Sequence, residues 1–184
     1  MLRRRQTKYL LTIYSILIGI TAFSQESMIY THTLTKKLAY YQIDFFQPLE
    51  RWLQITDITS DEFMDYDAVL RDEEDLEIRL NIVEADKMFS QHPHVELIRV
   101  LSNISTNEED ADIKISQLNA EWVSEKYHAD WGLYADFTPK MSFSMYPKGR
   151  LLCLYKEGRA LVHYIILHNQ EELDPFFEFP LTFY

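Results

Sequence analysis

The stretch RLLCLYKEGRALVHYIIL, residues 150–167, constrains the fold more than any other part of this 184-residue chain. Two apolar runs flank Glu157-Gly158, and glycine supplies the positive φ that a tight turn needs. A two-residue loop that pairs Lys156 with Arg159 predicts a β-hairpin with two largely apolar faces. We therefore expect the hairpin to lie in the middle of a sheet that is covered on both sides.

The same register decides the expected chemistry of the hairpin. Leu152 pairs with His163, and Cys153 faces Val162, so Cys153 and His163 are predicted on opposite faces. Burial in an apolar strand raises the pKa of a thiol and suppresses the reactive thiolate. Cys153 is also the only cysteine, so an internal disulfide is excluded. The sequence predicts a buried, inert thiol.

Further strands are predicted from period-two alternation and from β-branched and aromatic composition. Residues 76–83 alternate most clearly, with apolar side chains on one side and Glu77, Arg79 and Asn81 on the other. Pro48 would break a central ladder, so two strands are expected to meet at Gln47-Pro48. The other predicted strands cover residues 39–46, 50–57, 112–116, 131–137 and 141–146.

Two helices are predicted between the strands. The first begins at Pro93, with His92 as its cap. Its apolar side carries Val95, Ile98 and Leu101. The second is capped by Ser116 and continues to about Tyr127, with Leu118, Trp122 and Tyr127 on one face. The sequence therefore predicts an α+β single domain: a twisted, mainly antiparallel sheet with about two helices packed on one face.

The first residues are typical of an export signal. Arginines at 3–5 and Lys8 precede an apolar run, residues 9–23, which is shorter than the roughly 20 residues that span a bilayer. Small residues before Gln25 favour cleavage between Ser24 and Gln25. Residues 1–24 are thus predicted to be a signal peptide, 25–37 a polar lead-in, and 38–184 the domain. The expected location is periplasmic or secreted; the alternative is a tether through an uncleaved N-terminal segment.

The charge of the chain excludes one class of partner. The formal net charge is −11, and all four basic residues of the first ten positions belong to the predicted signal, so its removal leaves a charge of 14 − 29 = −15. Such a chain is repelled by phosphate backbones and by anionic membranes. We expect no nucleic acid partner and no membrane contact after the signal is removed.

Motifs for metals and catalysis are weak. His92 and His94 flank a proline and are not expected to converge on a metal. Counting from Asp65, Leu70 and Leu76 occupy the two positions where a calcium loop needs Gly and Glu. The acidic run at 61–77 is therefore interpreted as a solvated face. With no hydrolase or phosphate-loop motif, the sequence predicts no metal, no cofactor and no catalytic residue.

Clustered aromatic residues are the remaining candidates for recognition. They are Tyr127, Trp131, Tyr134, Phe176 and Phe177. We expect a non-enzymatic binding module of the cell envelope or extracellular space, with an unknown protein or small-molecule partner. The alternative is a small exported hydrolase whose carboxylates and histidines are distant in sequence. A deep pocket would favour the enzyme, and an aromatic patch or an exposed sheet edge the binding module.

Overall fold

The computed structural model describes residues 32–45, 54–56, 60–71, 76–85, 92–108, 112–171, 173 and 181–184. The predicted signal peptide, its cleavage site at Ser24-Gln25, and both Phe176 and Phe177 lie outside these ranges. Within them, no helix combines the length and the apolar character that crossing a bilayer requires.

The described ranges contain three helices and nine strands. The helices are α1 (His32–Tyr41), α2 (Pro93–Ile104) and α3 (Ala120–Tyr127). The strands are β1 (Ile43–Phe45), β2 (Gln54–Thr56), β3 (Ala68–Arg71), β4 (Leu76–Glu84), β5 (Lys114–Gln117), β6 (Trp131–Phe137), β7 (Lys148–Lys156), β8 (Ala160–His168) and β9 (Leu181–Phe183).

Seven strands form one sheet in the order β2-β3-β4-β8-β7-β6-β5, and β1 pairs separately with β9. Every neighbouring pair is antiparallel. The predicted α+β single domain with a mainly antiparallel sheet is confirmed. The hairpin β7–β8 lies in the interior of the sheet, as its two apolar faces indicated.

Each face of the large sheet has its own core. The α1/α3 face carries side chains such as Ile78, Leu154 and Val162, which pack against α1, α3 and the β1–β9 pair. The α2 face carries side chains such as Leu151 and Leu161, which pack against α2 and against the segments around Tyr66 and Phe143. The helices therefore cover both faces, whereas the sequence predicted them on one. A sheet that is apolar on both sides has to be covered on both.

The register of the hairpin differs from the prediction by one residue. Lys156 pairs with Ala160, not Arg159, so the loop has three residues and Cys153 lies directly opposite His163 on the same face. Gly158 adopts a φ of 65° in this loop. Contacts from elsewhere hold it: the Glu157 N–H donates to Asp130 Oδ2 at 2.8 Å, and the Arg159 carbonyl accepts from Ala85 N at 3.2 Å. These remote contacts select the longer loop.

The predicted strand at 39–46 is wrong for most of its length, because α1 occupies His32–Tyr41 and only Ile43–Phe45 is extended. Leu34 and Leu38, one helical turn apart, are both buried against the sheet. The helix also includes the end of the predicted lead-in. The two strands expected to meet at Gln47-Pro48 do not pair with each other in the structure: β1 pairs with β9 and β2 with β3. The turn at Gln47-Pro48 lies outside the described residues.

The helix boundaries were partly predicted, but their buried sides were rotated. α2 begins at Pro93 and buries Leu101 as expected, yet it also buries Leu97 and Val100, while Val95 and Ile98 are exposed. α3 is capped by Asn119, whose Oδ1 accepts from Trp122 N at 3.0 Å, and not by Ser116. The predicted strand at 141–146 is a turn. These stretches have apolar residues on more than one side, so periodicity alone does not fix the buried side.

Truncation of the central hairpin tests its burial on the α1/α3 face. Leu154 and Val162 are paired across β7 and β8 and both are buried. We expect Leu154→Ala to reduce the free energy of unfolding by about 2–5 kcal/mol and Val162→Ala by somewhat less. Urea denaturation measures both, with the exposed turn change Glu157→Ala as control. Losses below about 0.5 kcal/mol at both sites, the range of surface changes, would show that the hairpin is peripheral.

Candidate functional site

A polar row runs along β4 on the α2 face, in the interior of the sheet. Glu77 and Arg79 are buried and Asn81 is half-buried, although their alternation predicted a solvated side. Buried charges require partners, because taking an unpaired charge out of water is costly. The partners come from three other parts of the chain, so the row organises its surroundings.

The guanidinium of Arg79 is the centre of this arrangement. Its Nε donates to Glu77 Oε1 at 2.5 Å, and its Nη1 donates to Asp61 Oδ2 at 2.9 Å and to the Tyr66 hydroxyl at 3.0 Å. Its Nη2 donates to the Phe143 carbonyl at 3.1 Å. The carbon at the centre of the guanidinium also lies 4.3 Å from the centroid of the Phe143 ring, a cation–π contact. Arg79 therefore joins β4 to the segment at 61–66 and to the segment around Phe143.

The surrounding groups complete the charge balance. Arg71 Nε donates to Glu77 Oε2 at 2.5 Å, so Glu77 lies between two guanidinium groups. Asp61 Oδ1 accepts from Phe63 N and Met64 N, at 2.8 and 2.9 Å, which fixes its own loop. The Tyr66 hydroxyl donates to Asp61 Oδ2, and burial followed by this hydrogen bond raises the pKa of Tyr66. Two guanidinium groups face two carboxylates, and the cluster is neutral.

The segment held by Arg79 is a short turn, residues 140–146, called here the methionine turn. Phe143 N and Ser144 N both donate to the Lys140 carbonyl, at 2.9 and 3.0 Å, which is one helical turn. Phe143 points inward and is buried, whereas Met141 and Met145, four residues apart, are 91% and 95% exposed. Both side chains border the open groove described below.

The methionine turn is anchored to α2 through Lys140. The backbone N–H of Lys140 donates to the Ile104 carbonyl at 2.8 Å. The Nζ of Lys140 donates to the carbonyls of Ser102 and Asn103, at 2.9 and 2.7 Å. A lysine on the last carbonyls of a helix satisfies groups that have no partner within the helix. The turn is therefore fixed at one end by a helix and in its middle by Arg79.

An open groove of about 420 Å³ lies between the methionine turn and the charged side chains of β3 and β4. Arg71, Glu77 and Arg79 line one side, and the methionine turn lines the other. Glu77 and Arg79 have buried side chains, but the Arg71 side chain is 41% exposed. The exposed charged group of the groove is thus the guanidinium of Arg71, which is bonded through Nε to Glu77, and it lies beside two apolar thioethers.

A second polar group continues the row under α2. Asn81, His163 and Cys153 are paired in register on the neighbouring strands β4, β8 and β7. Asn81 Nδ2 donates to the Asp65 carbonyl at 3.0 Å, which leaves Asn81 Oδ1 to accept from His163 Nδ1 at 3.0 Å. The proton of neutral His163 therefore sits on Nδ1. His163 Nε2 has no hydrogen-bond partner in the described part of the chain.

Helix α2 closes this second group. Glu96 is buried and accepts two hydrogen bonds from Arg99, at 2.8 and 2.5 Å. Burial would raise the pKa of Glu96, but the bonds from Arg99 outweigh it and lower that pKa. Burial lowers the pKa of His163 to about 4, and burial raises the pKa of the Cys153 thiol. The predicted opposite placement of Cys153 and His163 is wrong, since they face each other across the hairpin. In this closed arrangement, however, both are buried and the thiol is protonated.

The predicted recognition aromatics do not form one surface. Tyr127 is fully buried in the core of the α1/α3 face and is not available for recognition. Trp131 and Tyr134 are half-buried and pack against opposite faces of the sheet. Because they are three residues apart on β6, an odd spacing separates them.

The histidines and acids that were weighed as metal ligands make other contacts in the structure. The rings of His92 and His94 contact each other with centroids 6.1 Å apart, because His92 precedes the helix with φ −129°. Within the described residues, no group of three or more His, Cys, Asp or Glu side chains is arranged to hold a metal ion. Acids of the 61–77 run are partly engaged: Asp67 binds Lys37 Nζ at 2.7 and 2.8 Å. The interpretation of this run as a solvated face is wrong for Glu77, which is buried, and for Asp67, which is half-buried, whereas Asp61 is exposed although it is paired with Arg79.

The residues that sequence reasoning missed are Arg79, Met141 and Met145. A charged pair at Glu77 and Arg79 within an otherwise apolar strand next to a two-sided hairpin is a signal for a buried ion network. The methionines gave no such signal, because residues 141–146 resemble a strand in composition. Their exposure depends on the helical turn that Lys140 and Arg79 hold in place.

A scan of the chain against protein-family models finds no match, and a search of curated proteins finds none either.

Loss of the Arg79 guanidinium would leave Glu77 and Asp61 with fewer partners in a buried site. We expect Arg79→Met to reduce the free energy of unfolding by about 3–5 kcal/mol, as for a broken buried ion pair. Lys36→Met, at an exposed position on α1, should change it by less than about 0.5 kcal/mol. Urea denaturation compares them. Equal small effects would show that the network contributes nothing to stability.

His163 should make stability depend on pH. Its pKa of about 4 lies below the ordinary 6.5, so the unfolded chain binds more protons between these values. Stability is therefore full above pH 6.5 and falls as the pH approaches 4, by roughly 3 kcal/mol in total. The measurement is urea denaturation between pH 7 and 4.5. We expect His163→Gln to flatten the curve and exposed His94→Gln to leave it unchanged; parallel curves for wild type and His163→Gln would contradict the assignment.

Proposed function

We propose that this chain is an exported, non-enzymatic binding module that captures an apolar, anionic segment of a partner in the groove beside the methionine turn. The observation that carries the proposal is the exposure of Met141 and Met145, 91% and 95%, on a turn that is anchored from two sides. Side chains so exposed add little to the core. Methionine adapts to differently shaped apolar partners, and it is common on binding surfaces for that reason.

The rigidity of the turn supports this role. Lys140 ties the turn to the end of α2, and Arg79 binds the Phe143 carbonyl. Phe143 also packs edge-to-face on Phe63, with ring centroids 5.3 Å apart. A surface that is ordered before binding loses less conformational freedom when the partner arrives.

Arg71 supports the anionic character of the partner. Its side chain is 41% exposed and lines the groove, while only its Nε bonds to Glu77 among the hydrogen bonds within the described ranges. A guanidinium binds carboxylates strongly and in a defined geometry. A peptide segment with aliphatic side chains and one carboxylate would use both walls of the groove.

The compartment is proposed from the sequence pattern alone. Basic residues before a short apolar run, with small residues before Gln25, favour export to the periplasm or the medium. The shallow, open groove favours binding over catalysis, because catalytic sites usually converge several titratable groups in a deep pocket. The buried row of Asn81, His163 and Cys153 has catalytic residue types, but substrate cannot reach it while α2 is closed.

Selection of peptides from a displayed library tests the proposal without a known partner. Peptides that bind the wild type are recovered and examined with the protein carrying ¹³C-methyl methionine, which contains six methionines. We expect apolar, acidic peptides that shift the methyl signals of Met141 and Met145 and leave that of half-buried Met64 unchanged.

Variants separate this groove from other surfaces. Met141→Ser with Met145→Ser should weaken the selected peptides at least tenfold, about 1.4 kcal/mol, and Arg71→Gln should weaken those that carry a carboxylate. The control is Tyr40→Ser, which removes an exposed aromatic side chain from α1. Peptides that bind the methionine double variant as tightly as the wild type would overturn the proposal.

A further inference from the structure

The methionine side chains of the groove are the sulfur groups that solvent reaches most easily in the described part of the chain. Met141 and Met145 are 91% and 95% exposed. The third described methionine, Met64, is half-buried and packs against the core of the α2 face. A small oxidant dissolved in water therefore meets the two thioethers of the methionine turn first.

The thiol of the chain does not compete for such an oxidant. Cys153 is fully buried in the core of the α2 face. Burial, and to a smaller extent the Glu96 carboxylate, raises the pKa of this thiol, so the thiol stays protonated. The oxidation of a cysteine follows its thiolate character and its exposure. A thioether has no proton to lose first, so exposure decides how readily its sulfur reacts.

The contacts that hold the methionine turn do not use its sulfur atoms. Arg79 donates to the Phe143 carbonyl at 3.1 Å. Lys140 donates from its backbone N–H and from its Nζ to carbonyls at the end of α2. The Phe143 ring is buried and packs on Phe63. An oxygen atom added to either thioether therefore changes the wall of the groove and leaves these bonds in place.

Oxidation of a thioether puts a polar group where the proposed partner places apolar side chains. The sulfur lone pair attacks one oxygen of a hydroperoxide, and the O–O bond breaks. The other oxygen keeps the electron pair, takes the proton and leaves as an alcohol, or as water from hydrogen peroxide. Sulfur is oxidised by the two electrons that reduce the peroxide. The product sulfoxide is polar and chiral, and burying its oxygen without a donor is costly.

We propose that Met141 and Met145 are a reversible oxidation site, and that hydroperoxides close the groove to its apolar partner by converting both thioethers to sulfoxides. The identity of the site as a binding groove rests on the proposed function. Methionine sulfoxide reductases exist for both sulfoxide epimers, so the apolar wall can be restored. Binding by this chain is thereby coupled to the oxidant level of its surroundings, while Cys153 stays reduced.

Treatment of the folded protein with hydrogen peroxide, followed by mass mapping of its peptides, tests the site. We expect one added oxygen on Met141 and one on Met145 before Met64 gains any, and none on Cys153. The same treatment in concentrated urea is the control, because unfolding exposes every sulfur atom and removes this order. Oxidation of Met64 or Cys153 in the folded protein as fast as the methionine turn would overturn the proposal.

Peptides selected on the reduced protein measure the effect on binding. We expect the oxidised wild type to bind them at least about tenfold more weakly, because a sulfoxide does not replace an apolar thioether. Treatment with both reductases should restore the affinity. The matched control is Met141→Leu with Met145→Leu, which keeps the apolar volume without an oxidisable sulfur. It should bind equally before and after peroxide treatment, whereas Met64→Leu should lose affinity on oxidation like the wild type.

Two outcomes separate this inference from the proposed function. Equal binding by the oxidised and the reduced wild type would overturn the oxidation switch and leave the proposed function standing. Selected peptides that are insensitive to Met141→Ser with Met145→Ser would overturn the proposed function and the switch with it.

Discussion

The guanidinium of Arg79 is the interaction on which the α2 face depends. It lies on an interior strand and uses Nε, Nη1 and Nη2 to bind a carboxylate of its own strand, two groups of the 61–66 segment and a carbonyl of the methionine turn. A buried cation of this kind contributes less to net stability than to the choice of one arrangement, because its desolvation offsets much of the attraction. The 61–66 segment and the methionine turn are held over β4 by their hydrogen bonds to Arg79.

This network explains how charged side chains can lie in the middle of a sheet face that other segments cover. Glu77 is neutralised by Arg71 and Arg79, and the Asn81 amide passes a hydrogen bond from His163 to the Asp65 carbonyl. Arg79 and Asn81 donate hydrogen bonds to carbonyls of the covering loops. The apolar residues of these loops, such as Phe143, pack on the sheet. Polar bonds and apolar packing are therefore parts of one structure on this face, whereas the α1/α3 face is held mainly by apolar contacts.

The sequence predicted those elements whose signals are local. The alternation of 76–83 and the glycine of the hairpin were enough to place β4, β7 and β8, and Pro93 was enough to begin α2. The α1 helix and the β1–β9 pair were missed because they depend on residues far apart, such as Ile43 and Phe183. The groove was missed for a related reason: the exposure of Met141 follows from hydrogen bonds that Arg79 and Lys140 make at a distance.

The pairing register of β8 on β7, which is set at the three-residue turn between them, determines which side chains face each of the two cores. Side chains alternate along a strand, so a shift of one residue in the pairing of β8 with β7 would turn β8, and β4 with it, over relative to β7. The charged row of Glu77, Arg79 and Asn81 would then lie under α1, away from Asp61 and Phe143. Descendants of this chain can thus change the length of that turn and keep the fold as long as Lys156 stays paired with Ala160. A one-residue shift of the pairing would require both cores to be rebuilt at once.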